Sequence, residues 1–212
     1  HQIRDYTANK QNQVDDYPYG GGRGAVMTAD PLYRCWEAVC DEAGGPVHTV
    51  YMSPCGKTFR QGDAIRLSKM ENLVLVCGHY EGIDQRFIDE CVDEEISLGD
   101  FVLTGGEIAA MAVTDAVCRM VPGVLADPEC FQEESHFNGL LEYPQYSRPA
   151  VWHGREVPEI LLSGNHQKVA QWRRLQALRR TRDRRPDMFQ KLDLSSKQDK
   201  KLLGLLEHSC NP

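Results

Sequence analysis

The chain has 212 residues, 41% of them hydrophobic and 26% charged, with a formal net charge of −7. That is the make-up of an ordinary soluble globular protein, with one sizeable core or a core domain plus a smaller appendage. No run approaches the roughly twenty apolar residues of a membrane span, and no signal-peptide pattern opens the chain.

The sequence starts at His1 with "QIRDYT" already underway, so a preceding segment is expected to be missing. From there to Pro46 the notable feature is "YGGGRGAV", where Gly20, Gly21, Gly22 and Gly24 make a loop whose backbone can approach a planar ligand, or an ordinary surface turn. Their spacing is not G-x-G-x-x-G, and no strand precedes them, so a dinucleotide fingerprint is excluded. "VHTVYMSP" and "NLVLVCG" are apolar, β-branched runs closed by Pro and Gly, as buried parallel strands usually are. Between them, "PCGKTF" lacks the first glycine of a phosphate-binding loop, because position 51 is Tyr51.

"GIDQRFIDECV" places Ile83, Phe87, Ile88 and Cys91 at helical spacing. "EISLGDFVLTGG" reads as the next strand region, with Phe101 to Thr104 as a short buried strand between glycines. "EIAAMAVTDAVCRMVPG" reads as a helix carrying Ile108, Ala112, Ala116 and Met120 on one stripe, stopped by Pro122-Gly123. Strands alternating with helices imply an α/β fold with a parallel sheet and helices on its faces.

Residues 126 to 149 lose periodicity and gain Pro, Glu and aromatics, which marks a linker or functional loop. "VPEILLSGNH" reads as a short strand ending in a turn. A basic amphipathic helix follows, "HQKVAQWRRLQALRRTRDRR", with Val169, Trp172, Leu175 and Leu178 as its apolar stripe. A last helix starts after Ser195 or Ser196 as N-cap. Residues 168 to 201 hold 12 Lys/Arg against 4 Asp/Glu, a local +8, while the rest carries 12 against 27, a local −15. That asymmetry fits a polyanionic partner or a solvated basic helix face. The expected domains are therefore 1–125 (α/β), 126–149 (linker and active-site loop) and 150–212 (basic, helical).

Eight cysteines form no C-x-x-C pair, so neither a zinc ribbon nor a thioredoxin motif is available. Scattered and mostly buried thiols, such as Cys77 and the mid-helix Cys118, suit a reducing cytoplasmic setting. The glycine-marked strand ends "SPCGK", "CGHYEG" and "LGDFVLTGGE" can converge on one pocket, since ligands of open α/β sheets bind outside the carboxyl ends of the strands.

"VDDYPYGGGRGAVM", "VCGHYEGIDQRFID", "DEEISLGDFVLTGGEIAAMAVTDAVCRMVPGVL", "GLLEYPQYSRP" and "VPEILLSGNH" together closely resemble the bacterial tRNA (guanine-N1-)-methyltransferases of the TrmD type, in the SPOUT class. The resemblance runs in order from Val14 to about Pro186. It implies a trefoil-knotted parallel sheet with a small C-terminal all-helical domain that grips the tRNA anticodon arm. It implies a homodimer with a shared active site, and S-adenosylmethionine as methyl donor, with magnesium as an ion the family admits; no metal ligands are assignable. Carried over by motif, the donor contacts fall on Met52, Ser53 and Pro54, on Gly78, Tyr80 and Glu81, and on Ser97, Leu98, Gly99, Asp100, Phe101, Val102 and Leu103 with Gly105 and Gly106.

The implied reaction methylates N1 of the guanine just 3′ of the anticodon. That nitrogen carries a proton at neutral pH, so a base must remove it while a cation steadies the charge spreading to the exocyclic oxygen. Arg119 matches the family's arginine; its other reading is a surface helix residue. The family's acid is an Asp before Ser, whereas this chain has Glu134 before Ser135, one methylene longer, with Glu133 as competitor and His136 adjacent. Arg148, Asn165 and His166 are the expected RNA contacts, His166 being equally able to cap its helix. Two alternatives stay open here: another SPOUT methyltransferase, and a catalytically silent RNA-binding relative.

Overall fold

The structure, a computed structural model, describes residues 1–126 and 131–208. The chain divides into two compact units, His1–Ala126 and Asp127–Pro212.

The first unit is built on three parallel strands in the order β4-β3-β5: β3 Val47–Thr58, β4 Asn72–Cys77 and β5 Glu94–Ser97. Two short strands precede them, β1 Asp15–Asp16 and β2 Val26–Met27, paired antiparallel around the glycine loop. Side chains alternate across β3, so successive residues serve opposite faces of the sheet. Val50 and Met52 join Ile96 under α2 (Gln61–Leu67) and α4 (Glu107–Cys118). Tyr51 turns the other way, with Val76, toward Leu32 of α1 (Ala29–Ala43) and Phe87 and Cys91 of α3 (Gln85–Cys91). The sheet is thus covered on both sides, and each fully buried aliphatic side chain, such as Val50 or Leu67, contributes about 1.5–3 kcal/mol.

Lys57 and Thr58 of "GKT" continue β3 rather than opening a helix, and Lys57 is bonded to Asp63 at 2.8 Å. Met52 and Lys57 both stand opposite Ile96, so residues 53–56 bulge out of the ladder. A bulge of that kind re-aims a short segment without ending the strand.

Asp63 is buried at the start of α2 and accepts from Lys57 and from the amide of Arg60, with Arg66 at 3.5 Å. Burial alone raises its pKa, but these hydrogen bonds and the lysine charge outweigh it and hold the carboxyl below its ordinary value. A group depressed in the folded state stabilises fully above its unfolded pKa and loses that contribution as pH falls through the lower folded value. Asp63→Asn should therefore cost about 1–2 kcal/mol at neutral pH and flatten the acid limb of a stability-versus-pH curve. Acid limbs identical in slope would contradict this assignment.

Several expectations need correction. β5 ends at Ser97, and Phe101 to Thr104 form no strand; Phe101, Val102 and Leu103 are exposed. The Ser97 hydroxyl accepts from the Gly99 amide and donates to the Gly99 carbonyl, and the Phe101 amide bonds Gly99 as well, so local turns replace a ladder. α4 buries Ala109, Ala110, Val113 and Val117, not a stripe led by Ile108, which is 63% exposed. This helix is apolar on several sides, and close approach to the sheet selects its alanines. Ala116 and Met120 only flank the core. Cys118 and Cys55 are exposed, and of the six described cysteines, all free, only Cys35 and Cys91 are buried. Cys130 and Cys210 lie outside the described residues.

The second unit holds a two-stranded hairpin, β6 Val151–Trp152 with β7 Arg155–Glu156, then α5 Glu159–Leu162, α6 His166–Arg184, α7 Pro186–Phe189 and α8 Lys197–His208. "EILL" is therefore a helical turn rather than a strand, begun by the carbonyl of Pro158 accepting from the Leu161 amide. On α6 the buried positions are Ala177, Leu178 and Thr181; Trp172 is half-buried with its ring facing Tyr146. Leu178 packs with Leu202 and Leu206 of α8 and with Leu140. Ser196 rather than Ser195 caps α8: its hydroxyl accepts from the Asp199 amide, and the Asp199 carboxylate is held by Arg174.

The segment expected to be a linker is anchored to this unit. The Leu141 amide donates to the Thr181 hydroxyl at 2.8 Å, and Arg180 donates to the carbonyl of Glu142 at 2.9 Å. Positions 127–130 of that segment lie outside the described residues. Among the described residues, no helix is long and apolar enough to cross a membrane.

Candidate active site

At the carboxyl ends of β3, β4 and β5 the first unit opens into a cleft of about 440 Å³. The bulge after Met52 supplies Ser53 and Pro54; the turn after β4 supplies Gly78, Tyr80 and Glu81. The loop after β5 supplies Ser97, Leu98, Phe101, Val102, Leu103, Gly105 and Gly106. Gly99 and Asp100 do not line it; Gly99 is taken up by the turn with Ser97, and Asp100 is exposed.

The cleft also has walls outside the donor contacts carried over by motif. Tyr51, Ile83, Ile88 and Ile96 give it an apolar floor, and His79, Gln85, Glu95 and Thr104 add polar groups. Helical spacing marked Ile83 and Ile88 as core residues, but not that one flank of that core is left open. Burial pushes the Tyr51 phenol up, aided by Glu95 and Cys55, so it lines the cleft as a neutral hydroxyl. His79 and Glu107 pair at 3.3 Å across the bridge that joins His79 to Gly105.

Gly106 shows why this entrance is glycine-built. A Cβ there would lie 2.8 Å from the Cα of Cys77, a backbone atom that cannot swing aside. Its amide also donates to the carbonyl of Gly78 at 3.0 Å, tying the start of α4 to the end of β4. Close packing of protein on protein therefore already requires glycine at 106. Gly106→Ala should cost about 1–3 kcal/mol by overpacking and distort the cleft; a urea midpoint unchanged from wild type would contradict this.

The two catalytic candidates are carried by other elements. Arg119 is half-buried at the C-cap of α4, whose opposite end, at Gly106 and Ala109, lines the cleft. Thirteen residues of helix span roughly 20 Å, well beyond an arginine's reach. Glu134 belongs to the second unit, half-buried in a turn where its amide donates to the Phe131 carbonyl. That turn is held by the ring contact of Phe131 with Phe137 at 5.0 Å and by the Glu142 amide bonding the Ser135 hydroxyl. Glu133 is engaged differently, accepting from Tyr143 at 3.2 Å beside Arg173, whose guanidinium stacks 4.8 Å over the Tyr143 ring. His136 adopts a left-handed backbone and is exposed.

Of the expected RNA contacts, Asn165 is the N-cap of α6, its side chain accepting from the Lys168 amide, so His166 is not the cap. His166 and Arg148 are exposed. Among the described residues, no group of three or more His, Cys, Asp or Glu could hold a metal ion.

A family model described as "tRNA (Guanine-1)-methyltransferase TrmD" matches residues 1–191. Proteins named tRNA (guanine-N(1)-)-methyltransferase are similar over most of the chain. One from Clostridium perfringens is 57% identical over 201 residues, 95% of this chain and 84% of that protein. One from Ruminiclostridium cellulolyticum is 55% identical over 190 residues, 90% and 82% respectively. A more distant one, from Dehalococcoides mccartyi, is 48% identical over 212 residues, covering 100% of this chain and 85% of its own. With a family model matching nine-tenths of its length and identities of this size, the chain belongs to the TrmD family of tRNA (guanine-1)-methyltransferases.

Proposed function

We propose that this protein transfers a methyl group from S-adenosylmethionine to N1 of the guanine 3′-adjacent to a tRNA anticodon. The observation that carries the proposal is the cleft at the strand ends, in a chain of this family. Its volume lies within the range of small-molecule sites, its mouth is edged by Gly78, Gly105 and Gly106, and its floor is apolar. Main-chain amides and carbonyls beside a greasy floor suit a nucleoside bearing a sulfonium, which supplies an electrophilic methyl when bound. Met52, Ser53, Pro54, Gly78, Tyr80, Glu81, Ser97, Leu98 and Phe101 to Leu103 with Gly105 and Gly106 would hold it. The family's trefoil knot belongs to the same proposal.

Glu134 acts as the base that takes the proton from guanine N1, and Arg119 steadies the negative charge on the exocyclic oxygen. Glu133 is assigned a supporting role, since its contacts with Tyr143 and Arg173 brace the loop. Because Arg119 does not reach the cleft of its own chain, it serves the cleft of a second copy, and the working unit is a homodimer with shared sites. The outward apolar residues of α4, Ile108 at 63% and Met111 at 71% exposure, support such a pairing. The basic stretch 168–201 of the second unit, with Arg148, Asn165 and His166, grips the anticodon arm through phosphate contacts that weaken with salt, and the unit reads an unstacked guanine by edge contacts. Magnesium belongs to the same proposal as an accessory ion, with no residues assigned to hold it.

Calorimetric titration with S-adenosylhomocysteine tests the cleft. Saturable binding to wild type, weakened at least tenfold by Gly106→Ala in protein that is still folded, is expected. No heat with wild type would overturn the proposal.

A further inference from the structure

The cleft has a wall residue held in an unfavourable backbone state, and the group that holds it comes from the far end of the chain. Tyr80 has φ +58°, in the left-handed region that a non-glycine residue with a bulky side chain rarely adopts. Its side chain is nearly half exposed, so core packing does not pin it there. The phenol hydroxyl instead accepts from the guanidinium of Arg4 at 2.8 Å, across 76 residues of sequence.

Arg4 is itself well placed to act as an anchor. It lies in a short 3-10 helix, Ile3–Tyr6, and its neighbour Ile3 packs, as Trp36 does, against the core cluster that contains Leu32 and Tyr51. Its second nitrogen donates to the carbonyl of Asn12 at 3.0 Å, and Asn12 is another left-handed residue, at φ +53°. One planar fork therefore bridges two turns that are each disfavoured alone. A guanidinium supplies two donors in fixed geometry for such a bridge, which an ammonium cannot reproduce. Around Tyr80, the Gly82 amide bonds the His79 carbonyl and the Glu81 amide bonds the Ala25 carbonyl, so the position of Tyr80 is coupled to the turn that carries Glu81 into the cleft.

We infer that Arg4 is a positioning residue for the donor site: it clamps Tyr80 in the cleft wall and thereby sets the shape of the turn at 78–82, without touching the donor. The inference rests on the proposed function, in that the cleft is taken to bind the donor. It assigns a task to the 3-10 helix that no cleft-lining residue performs.

The test is a double-mutant cycle in the full chain, with Arg4→Ala, Tyr80→Phe and the pair together. The quantities read are the Kd of S-adenosylhomocysteine, the donor KM and kcat in methyl transfer to tRNA, and the Tm. Each single variant should weaken donor affinity about fivefold, as expected for a lost charge-assisted hydrogen bond that is partly open to water. The double variant should be no worse than either single one, because both remove the same bond. For Arg4→Ala, which touches no donor, kcat at saturating donor should stay within about twofold and the Tm should barely move, which a merely structural role would not produce. Arg4→Lys should recover only part of the affinity. Multiplicative losses in the double variant, or an Arg4→Ala protein with unchanged donor Kd, would overturn the inference while leaving the cleft assignment intact. A wild-type protein that binds no S-adenosylhomocysteine would overturn both.

Discussion

Replacing Glu134 by Gln should lower methyl transfer on the order of 100- to 10,000-fold, the range in which a positioned general base contributes, while S-adenosylhomocysteine binds as in wild type. The substitution keeps the shape and hydrogen-bonding length of the side chain and removes only its basicity. Guanine N1 is a poor nucleophile while protonated, so the barrier rises without any change in how the donor is held. Glu133→Gln is the matched control. Glu133 accepts from Tyr143 and sits 4.0 Å from Arg173, so its loss should loosen the loop and reduce turnover only several-fold, by misplacement rather than by loss of the base. If Glu133→Gln were the more damaging of the two, the roles are reversed. Glu134→Asp, which restores the family's acid but shortens the reach, would then show whether the loop has adapted to the longer side chain. Activity near wild type is expected if the backbone anchored through Leu141 and Glu142 can yield slightly, and a loss if it cannot.

The second large effect is expected at Arg119. Arg119→Ala should reduce kcat about 100- to 1,000-fold, as removal of a preorganised partner for developing oxyanion charge does elsewhere, again with little change in donor affinity. The geometry adds a stronger discriminating test. Arg119 stands at the end of α4 remote from the cleft, so in its proposed role it would serve a cleft on another copy. Mixing Arg119→Ala chains with Gly106→Ala chains, assayed with donor well below its wild-type Kd so that each variant alone has at most about a tenth of the wild-type rate, should raise activity above that of either alone. About a quarter of the sites in a randomly reassorted dimer pool would combine an intact cleft with an intact arginine from the other chain. No recovery on mixing, with dimers formed, would mean that Arg119 does not act across an interface.

Much of this arrangement was legible in the residues, and the exceptions have physical causes. Buried parallel strands are continuous apolar runs, so β3 and β4 stand out, and the break of β3 after Met52 is foreshadowed by the Ser-Pro-Cys-Gly that follows it. The strand-end glycines pointed to the cleft, because main-chain approach is a local demand that sequence records directly. The face of α4 was not legible: with Ile108, Ala109, Met111, Ala112 and Val113 nearly adjacent, apolar residues occur all round the helix, and the sheet distance alone decides which ones are buried. Phe101 to Thr104 misled for a related reason. Their β-branched and aromatic character suits a strand, but the Ser97 and Gly99 turn removes them from the ladder, and apolar residues left outside a ladder are free to line a ligand site. "EILL" was misread because four apolar residues carry too little period to separate a strand from one helical turn. The clamp of Arg4 on Tyr80 had no sequence signal at all, since it joins two exposed residues far apart in the chain.

The most direct measurement is to incubate purified protein and labelled S-adenosylmethionine with two otherwise identical tRNA transcripts, one carrying guanine immediately 3′ of the anticodon and one carrying adenine there. Digestion and mass spectrometry should find a single methyl group, as 1-methylguanosine, at that nucleotide of the first transcript and none on the second. Equal labelling of both transcripts, or a methyl group on a ribose or at another nucleotide, would contradict the account.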